Sequence, residues 1–180
     1  MRKGIILTTA ILASIAAGFV TPANAIDTTT DFTLTAAGGL GISAPASADL
    51  GSAATNAGTL SGALGAVEVT DDRGLLAGAW TATAAASDFT TGTATADETI
   101  AASNVSYWSG AATGTSGVAV FVPGQLTVLN AVAIDVAKTA FSATGTVGNN
   151  SATWNPTIVV TIPSDAVVGD YTGTVTHSVA

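Results

Sequence analysis

The sequence predicts an all-β protein, a two-sheet immunoglobulin-like sandwich of short antiparallel strands, with a closed β-barrel as the alternative. Threonine and valine are abundant and suit strands, while the 20 glycines weaken helices. Short runs of alternating apolar and polar residues are separated by Gly, Pro, Asn and Asp turn residues. No window carries a sustained apolar i, i+3, i+4 pattern, so long helices are not expected.

The first residues predict a secretory signal peptide. Arg2 and Lys3 precede an apolar run from Ile5 to Val20, and the small-x-small tripeptide at 23–25 follows. This order is typical of export with cleavage after Ala25. A retained membrane anchor is the alternative, but the apolar run is shorter than the roughly 20 residues that a spanning helix needs. We therefore expect a signal peptide over 1–25 and a single β-sandwich domain over 26–180.

Composition excludes several classes of function. Cleavage removes two of the four basic residues, so the formal charge moves from −8 to −10. Such a charge disfavours nucleic acid and anionic membrane surfaces as partners. The chain has no cysteine, which excludes disulfides, thiol catalysis and a lipid-modified cysteine at the cleavage site. No cofactor is indicated.

The first half of the domain divides into short strands and loops. Alternation predicts strands over Phe32–Thr35, Leu40–Ser43 and Val67–Thr70. The small, aperiodic stretch 46–58 predicts a loop, and a short helix over 56–64 is kept as an option. Further strands are expected over 80–84, 87–90, 104–108, 117–122, 157–162 and 171–179.

Glycine-rich stretches predict the remaining turns. A flexible loop is expected over 109–117, and a strand over 138–142 is expected to end before turns at Gly145 and 148–150. Tyr171 follows a glycine where the last strand begins. This position predicts a tyrosine corner, in which the ring packs and the hydroxyl bonds to nearby backbone.

The stretch Val67–Thr83 organises the chain as a strand, a charged turn and a strand. The turn 71–74 contains two aspartates, Arg73 and Gly74. Carboxylates in a turn can bind a cation or a sugar. The favoured interpretation is structural, with one aspartate capping backbone amides and pairing with Arg73. Trp80, which follows, is expected to supply much of the local core.

Residues that could support catalysis are few. His177 is the only histidine, no Gly-x-Ser-x-Gly motif accompanies it, and a half-buried strand histidine is the favoured interpretation. A pair of acids for glycoside hydrolysis is kept as an option among Glu68, Asp71, Asp72 and Glu98, although the spacing of these residues selects no pair. We therefore expect a protein that is not an enzyme, with a secreted glycosidase as the least favoured alternative.

The three tryptophans offer either sugar-stacking rings or core residues. For Trp80 and Trp154 the core is favoured. Tyr107 and Trp108 are adjacent at a strand end and must point to opposite faces, so one of them is expected to be more exposed.

The segments Val69–Gly74 and Gly78–Ala82 resemble the first tryptophan motif of the WxL-domain proteins of Gram-positive cell surfaces. The second tryptophan motif of that family has its counterpart in Trp154–Pro156. The family name implies leucine at the third position, which here is Ala82 or Pro156, so the resemblance is to a divergent, actinobacterial-type member. The matching residues are Asp71, Arg73, Trp80 and Trp154.

This resemblance implies non-covalent attachment to peptidoglycan or an associated wall polymer, without catalysis or cofactor. With the signal peptide, it predicts a secreted protein of the cell wall and cell surface, with other surface proteins as further partners. The alternative is a self-assembling surface-layer or pilus-like subunit, because threonine-rich strand edges can pair between copies.

Overall fold

The computed structural model describes residues 29–180, and the predicted signal peptide lies outside the described residues. Leu34–Ala180 forms one compact unit. The structure confirms the all-β class and the antiparallel two-sheet architecture. Its strands are β1 Leu40–Ser43, β2 Thr59–Ala63, β3 Val67–Asp71, β4 Leu76–Ala86, β5 Phe89–Thr90, β6 Thr99–Ile100, β7 Val105–Trp108, β8 Ala112–Pro123, β9 Val132–Ala133, β10 Lys138–Trp154, β11 Thr157–Thr161 and β12 Val175–Val179.

Strand β10 is the centre of the larger sheet. It is 17 residues long, and its residues 141–154 pair with β8 along one edge. Along the other edge, its first part pairs with β4 and its last part pairs with β3. Strands β3 and β4 therefore lie end to end against one neighbour, and residues 72–75 loop out between them. β1 pairs with β3 and β12 pairs with β4, which completes the six strands.

The smaller sheet has the order β2-β11-β7-β9. It packs on the larger sheet because both present apolar side chains at alternate positions, as the burial of Val67 and Val69 in β3 and of Ile158 and Val160 in β11 shows. These residues belong to one core cluster that includes Trp80, Tyr107, Phe141 and Trp154. β5 and β6 form a separate two-stranded ribbon.

Helical structure in residues 29–180 is limited to three 3₁₀ turns of three residues each, at Ala96–Glu98, Ala102–Asn104 and Val128–Asn130. The helix option over 56–64 is wrong, because β2 occupies most of that stretch and pairs with β11. Within the described part of the chain, no helix has the length and apolar character needed to cross a membrane.

Three further predictions are corrected. The stretch Phe32–Thr35 alternates like a strand but has no strand structure, and both of its large apolar side chains are exposed. Most of the predicted loop 109–117 belongs to β8. The predicted turns at Gly145 and Gly148 are β-bulges inside β10, since both glycines have positive φ where the register shifts.

The tyrosine corner is confirmed. The Tyr171 hydroxyl donates to the carbonyl of Val167, four residues upstream, at 2.9 Å. The same oxygen lies 3.3 Å from the carbonyl of Asp97. These bonds fix the loop that leads into β12.

Candidate functional site

The residues that match the tryptophan motifs are positioned by a buried polar network of Asp71, Arg73, Trp80 and Asn150. Arg73 Nε donates to Asp71 Oδ1 at 2.8 Å, and Arg73 Nη2 donates to Oδ2 at 3.0 Å. Asn150 Nδ2 donates to Asp71 Oδ2 at 3.3 Å, and Asn150 Oδ1 accepts from Trp80 Nε1 at 2.9 Å. Because Arg73 also donates to the Ala79 carbonyl, the network joins β3, the loop 72–75, β4 and β10.

The electrostatics of this network favour a structural role. The hydrogen bonds from the Arg73 guanidinium hold the pKa of Asp71 below its usual value despite the burial of the carboxylate. Both carboxylate oxygens already accept hydrogen bonds from protein donors. The predicted pairing of Arg73 with an aspartate is confirmed, and the carboxylate of Asp71 has little remaining capacity to bind a cation or a sugar.

The two motif tryptophans meet in the core around Phe141. The Phe141 ring stacks on Trp154 with centroids 4.9 Å apart and on Trp80 with centroids 6.5 Å apart. Trp80 is 2% exposed and Trp154 is fully buried. Trp80 and Trp154, which are 74 positions apart in the sequence, are thus brought together. Because both are buried, neither indole ring is accessible to a ligand. The sugar-stacking interpretation of these two residues is therefore wrong.

A second buried contact ties the two sheets together through Tyr107. Its hydroxyl accepts from Trp154 Nε1 at 3.1 Å and lies 3.2 Å from His177 Nε2. Burial raises the pKa of Tyr107 and lowers the pKa of His177. His177 therefore favours its neutral form and packs on Tyr107, as expected for a half-buried strand histidine. Trp108 faces the other way and is the more exposed of the two adjacent aromatic residues.

Two of the candidate catalytic acids do not fit a glycosidase proton donor, which needs a raised pKa. Backbone and side-chain hydrogen bonds from Thr95, together with bonds from Thr93, lower the pKa of Glu98 to about 2. The pKa of Asp71 is also lowered. Glu68 is exposed on the side of β3 away from the core. Within residues 29–180, no cluster of His, Cys, Asp and Glu could hold a metal ion.

A cleft of about 700 Å³ lies between the loop 48–55 and the loop 166–173. Its apolar lining includes Leu60, Phe89 and Tyr171. Polar groups at the same surface come from Asp49, Ser52, Thr55, Asp170 and Thr172. A smaller cavity of about 180 Å³, which His177 lines, shares four lining residues with this cleft.

The glycines of the loop 166–173 hold it close to its neighbours. A Cβ at Gly173 would lie 2.6 Å from the Phe89 ring. A Cβ at Gly169 would overlap the Thr91 side chain. Together with the Tyr171 hydrogen bonds, this close packing gives one wall of the cleft a fixed shape, which suits a binding surface.

Sequence reasoning missed the polar residues inside the core. Asn150 is 2% exposed and joins Asp71 to Trp80, although its stretch 148–150 predicted a turn. Gln125 is also buried, and its side-chain amide donates to the Thr139 carbonyl. The local sequence around Asn150 and Gln125 does not predict these hydrogen bonds, because each bond depends on the pairing of strands that are distant in the chain.

No protein-family model, no curated protein and no solved structure matches this chain.

Proposed function

We propose that the protein is a secreted, non-catalytic relative of the WxL-domain proteins that attaches non-covalently to the peptidoglycan cell wall. The observation that carries the proposal is the convergence of both tryptophan motifs on one buried core. Trp80 and Trp154 both stack on Phe141, and Asp71 and Arg73 are linked to Trp80 through Asn150. In this chain the residues of both motifs therefore serve one core, which supports the resemblance.

Because Asp71, Trp80 and Trp154 are buried and Arg73 is engaged by Asp71, the ligand surface lies elsewhere, and the cleft between loops 48–55 and 166–173 is the best candidate. Its size exceeds what a single sugar needs and suits an extended polymer segment. Apolar rings and aliphatic side chains can pack against sugar faces, while hydroxyl and carboxylate groups can bond hydroxyls and amides.

The charge of the protein favours one part of the wall. A formal charge of −10 after signal cleavage repels phosphate-rich wall polymers. Asp49 and Asp170 add negative charge at the cleft itself. The neutral glycan and the amine-bearing peptide stems of peptidoglycan are therefore the favoured ligands.

A sedimentation assay tests this proposal. The mature protein, residues 26–180, is incubated with purified sacculi at low and moderate salt, with and without prior acid removal of accessory polymers. We expect it to sediment with both preparations and to stay in the supernatant when sacculi are omitted. Recovery only in the supernatant with sacculi would contradict the proposal.

Substitutions at the cleft test its location. Thr55 and Thr172 line the cleft and are exposed. Thr55→Trp and Thr172→Trp should each lower the bound fraction at least about fivefold, since a large ring fills the space that the ligand needs. Ser178→Trp is the matched control, because Ser178 is exposed on β12 and lines neither concave surface. Equal binding by all three variants would exclude the cleft.

A further inference from the structure

We propose that the extended segment Asp31–Thr35 of one copy adds as a strand to the open edge of β8 in a second copy, so that copies join head to tail. This inference does not depend on wall attachment. It rests on an open, uncharged strand edge, an unpaired strand-like segment that precedes β1, and the order of strands in the larger sheet.

The acceptor is the 12-residue strand β8, Ala112–Pro123. One of its edges pairs with β10, and no other strand of residues 29–180 pairs with it. Outside that pairing, its backbone makes no hydrogen bond to other described residues. The second edge therefore presents free N–H and C=O groups, which are a template for another strand.

This edge lacks charge and an interior proline, two of the features that protect natural sheet edges. Such edges usually carry charged residues, inward-pointing lysines or a proline within the strand. Residues 112–123 contain no charged residue, and the proline is the last residue of the strand. Val118, Val120 and Val122 are 64%, 63% and 47% exposed. These valines alternate along β8 and form an apolar stripe on one face of the strand.

The donor is a segment with strand chemistry but no strand partner. In Asp31–Thr35, Phe32 and Leu34 alternate with threonines, which is the pattern of a strand with one apolar face. The two apolar side chains are 83% and 86% exposed. An added strand beside β8 would place them next to the valine stripe as cross-strand neighbours. Ala36 and Ala37 connect this segment to Gly38 and Gly39, whose backbone is hydrogen-bonded to that of Asp72, so the segment leads directly into the start of β1.

The order of strands favours a head-to-tail contact between copies. Across one part of the larger sheet the order is β1-β3-β10-β8. The donor segment precedes β1 in the chain, whereas the acceptor is the opposite edge. The contact thus joins two different surfaces, and repetition of such a heterologous contact builds a ring or an open array. One added strand is a small interface, so weak and concentration-dependent association is expected.

Cysteine cross-linking tests the contact directly, because the natural chain has no cysteine. Leu34→Cys protein is mixed at about 1 mM with a second protein carrying Val118→Cys, Val120→Cys or Val122→Cys, and a mild oxidant is added. The three acceptor positions sample the registers of pairing. Val168→Cys is the control acceptor, since Val168 is 90% exposed but lies outside β8.

We expect a disulfide between the Leu34→Cys chain and at least one of the three β8 variants. Its yield should be at least about fivefold above that of the mixture with the Val168→Cys control. Light scattering of the natural chain should show a mass that rises with concentration, and Val120→Lys should abolish the rise. Cross-linking at or below the control level, or a monomer at about 1 mM, would overturn the proposal. A Leu34→Cys/Val120→Cys chain that closes within itself while the mixture gives no pair would overturn it as well.

Discussion

Removal of the Asn150 side chain should cost far more stability than its amide suggests. The side chain is 2% exposed and joins the Trp80 indole to the Asp71 carboxylate. Asn150→Ala leaves the indole N–H, which is buried with its ring, without a partner. Asp71 loses one hydrogen bond but keeps those from Arg73.

The magnitude follows from these contacts. An unsatisfied buried donor costs about 1–3 kcal/mol, and the lost 3.3 Å bond to a carboxylate that remains paired adds about 1 kcal/mol. The free energy of unfolding should therefore fall by about 2–4 kcal/mol. For a domain of this size, a loss of about 3 kcal/mol lowers Tm by about 6–12 °C.

Urea unfolding followed by tryptophan fluorescence measures this loss. Asn149→Ala is the matched control, because Asn149 is the adjacent residue but is exposed. Its substitution should change the free energy of unfolding by at most about 0.5 kcal/mol. In a Trp80→Phe background the donor is already absent, so Asn150→Ala should cost about 1–2 kcal/mol less than in the natural chain. Equal costs for Asn149→Ala and Asn150→Ala, or a coupling below about 0.5 kcal/mol, would refute the reasoning.

Three further predictions concern the core, a glycine of β8 and pH. Trp80→Ala should lower the free energy of unfolding by about 3–5 kcal/mol, and an unchanged melting temperature would contradict its core role. Gly117→Ala should lower the free energy of unfolding by about 2–5 kcal/mol, because φ is +76° there and a Cβ would overlap the backbone of β10. Urea unfolding measures this loss. Gly114→Ala is the control, because a Cβ at Gly114, on the same strand, would meet no atom within 4 Å. The lowered pKa of His177 means that the unfolded chain binds the proton more readily, so stability should fall as pH drops below about 6.5. His177→Gln should remove that slope in melting curves between pH 7 and 5, and a slope that persists would assign it to other groups.

The local parts of the fold could be predicted because they depend on neighbouring residues. The alternation of Val67 and Val69 predicted a half-buried strand, and β3 buries both. Asp71 and Arg73 are two residues apart, and the turn that pairs them is encoded within that short stretch. Tyr171 bonds the carbonyl four residues before it. Each of these features needs only local chain geometry.

The remaining features depend on partners far along the chain. Gly145 and Gly148 have the positive φ of turn residues, but pairing on both edges of β10 converts the expected turns into bulges. Asn150 lies 79 residues from Asp71 and 70 from Trp80. Phe32–Thr35 has the alternation of a strand, yet a strand needs a neighbouring edge, which local sequence does not reveal.

The end-to-end arrangement of β3 and β4 has a consequence for engineering this protein. Both strands take their register from β10, so the loop 72–75 does not set the alignment of either. Residues inserted between Gly74 and Leu75 would lengthen an exposed loop. The insertion would preserve the ion pair of Arg73, which precedes it, and the hydrogen bond from the Gly148 N–H to the carbonyl of Leu75, which follows it. Because closure entropy rises only slowly with loop length, this position is suited to carry a peptide tag or a displayed epitope on the folded domain.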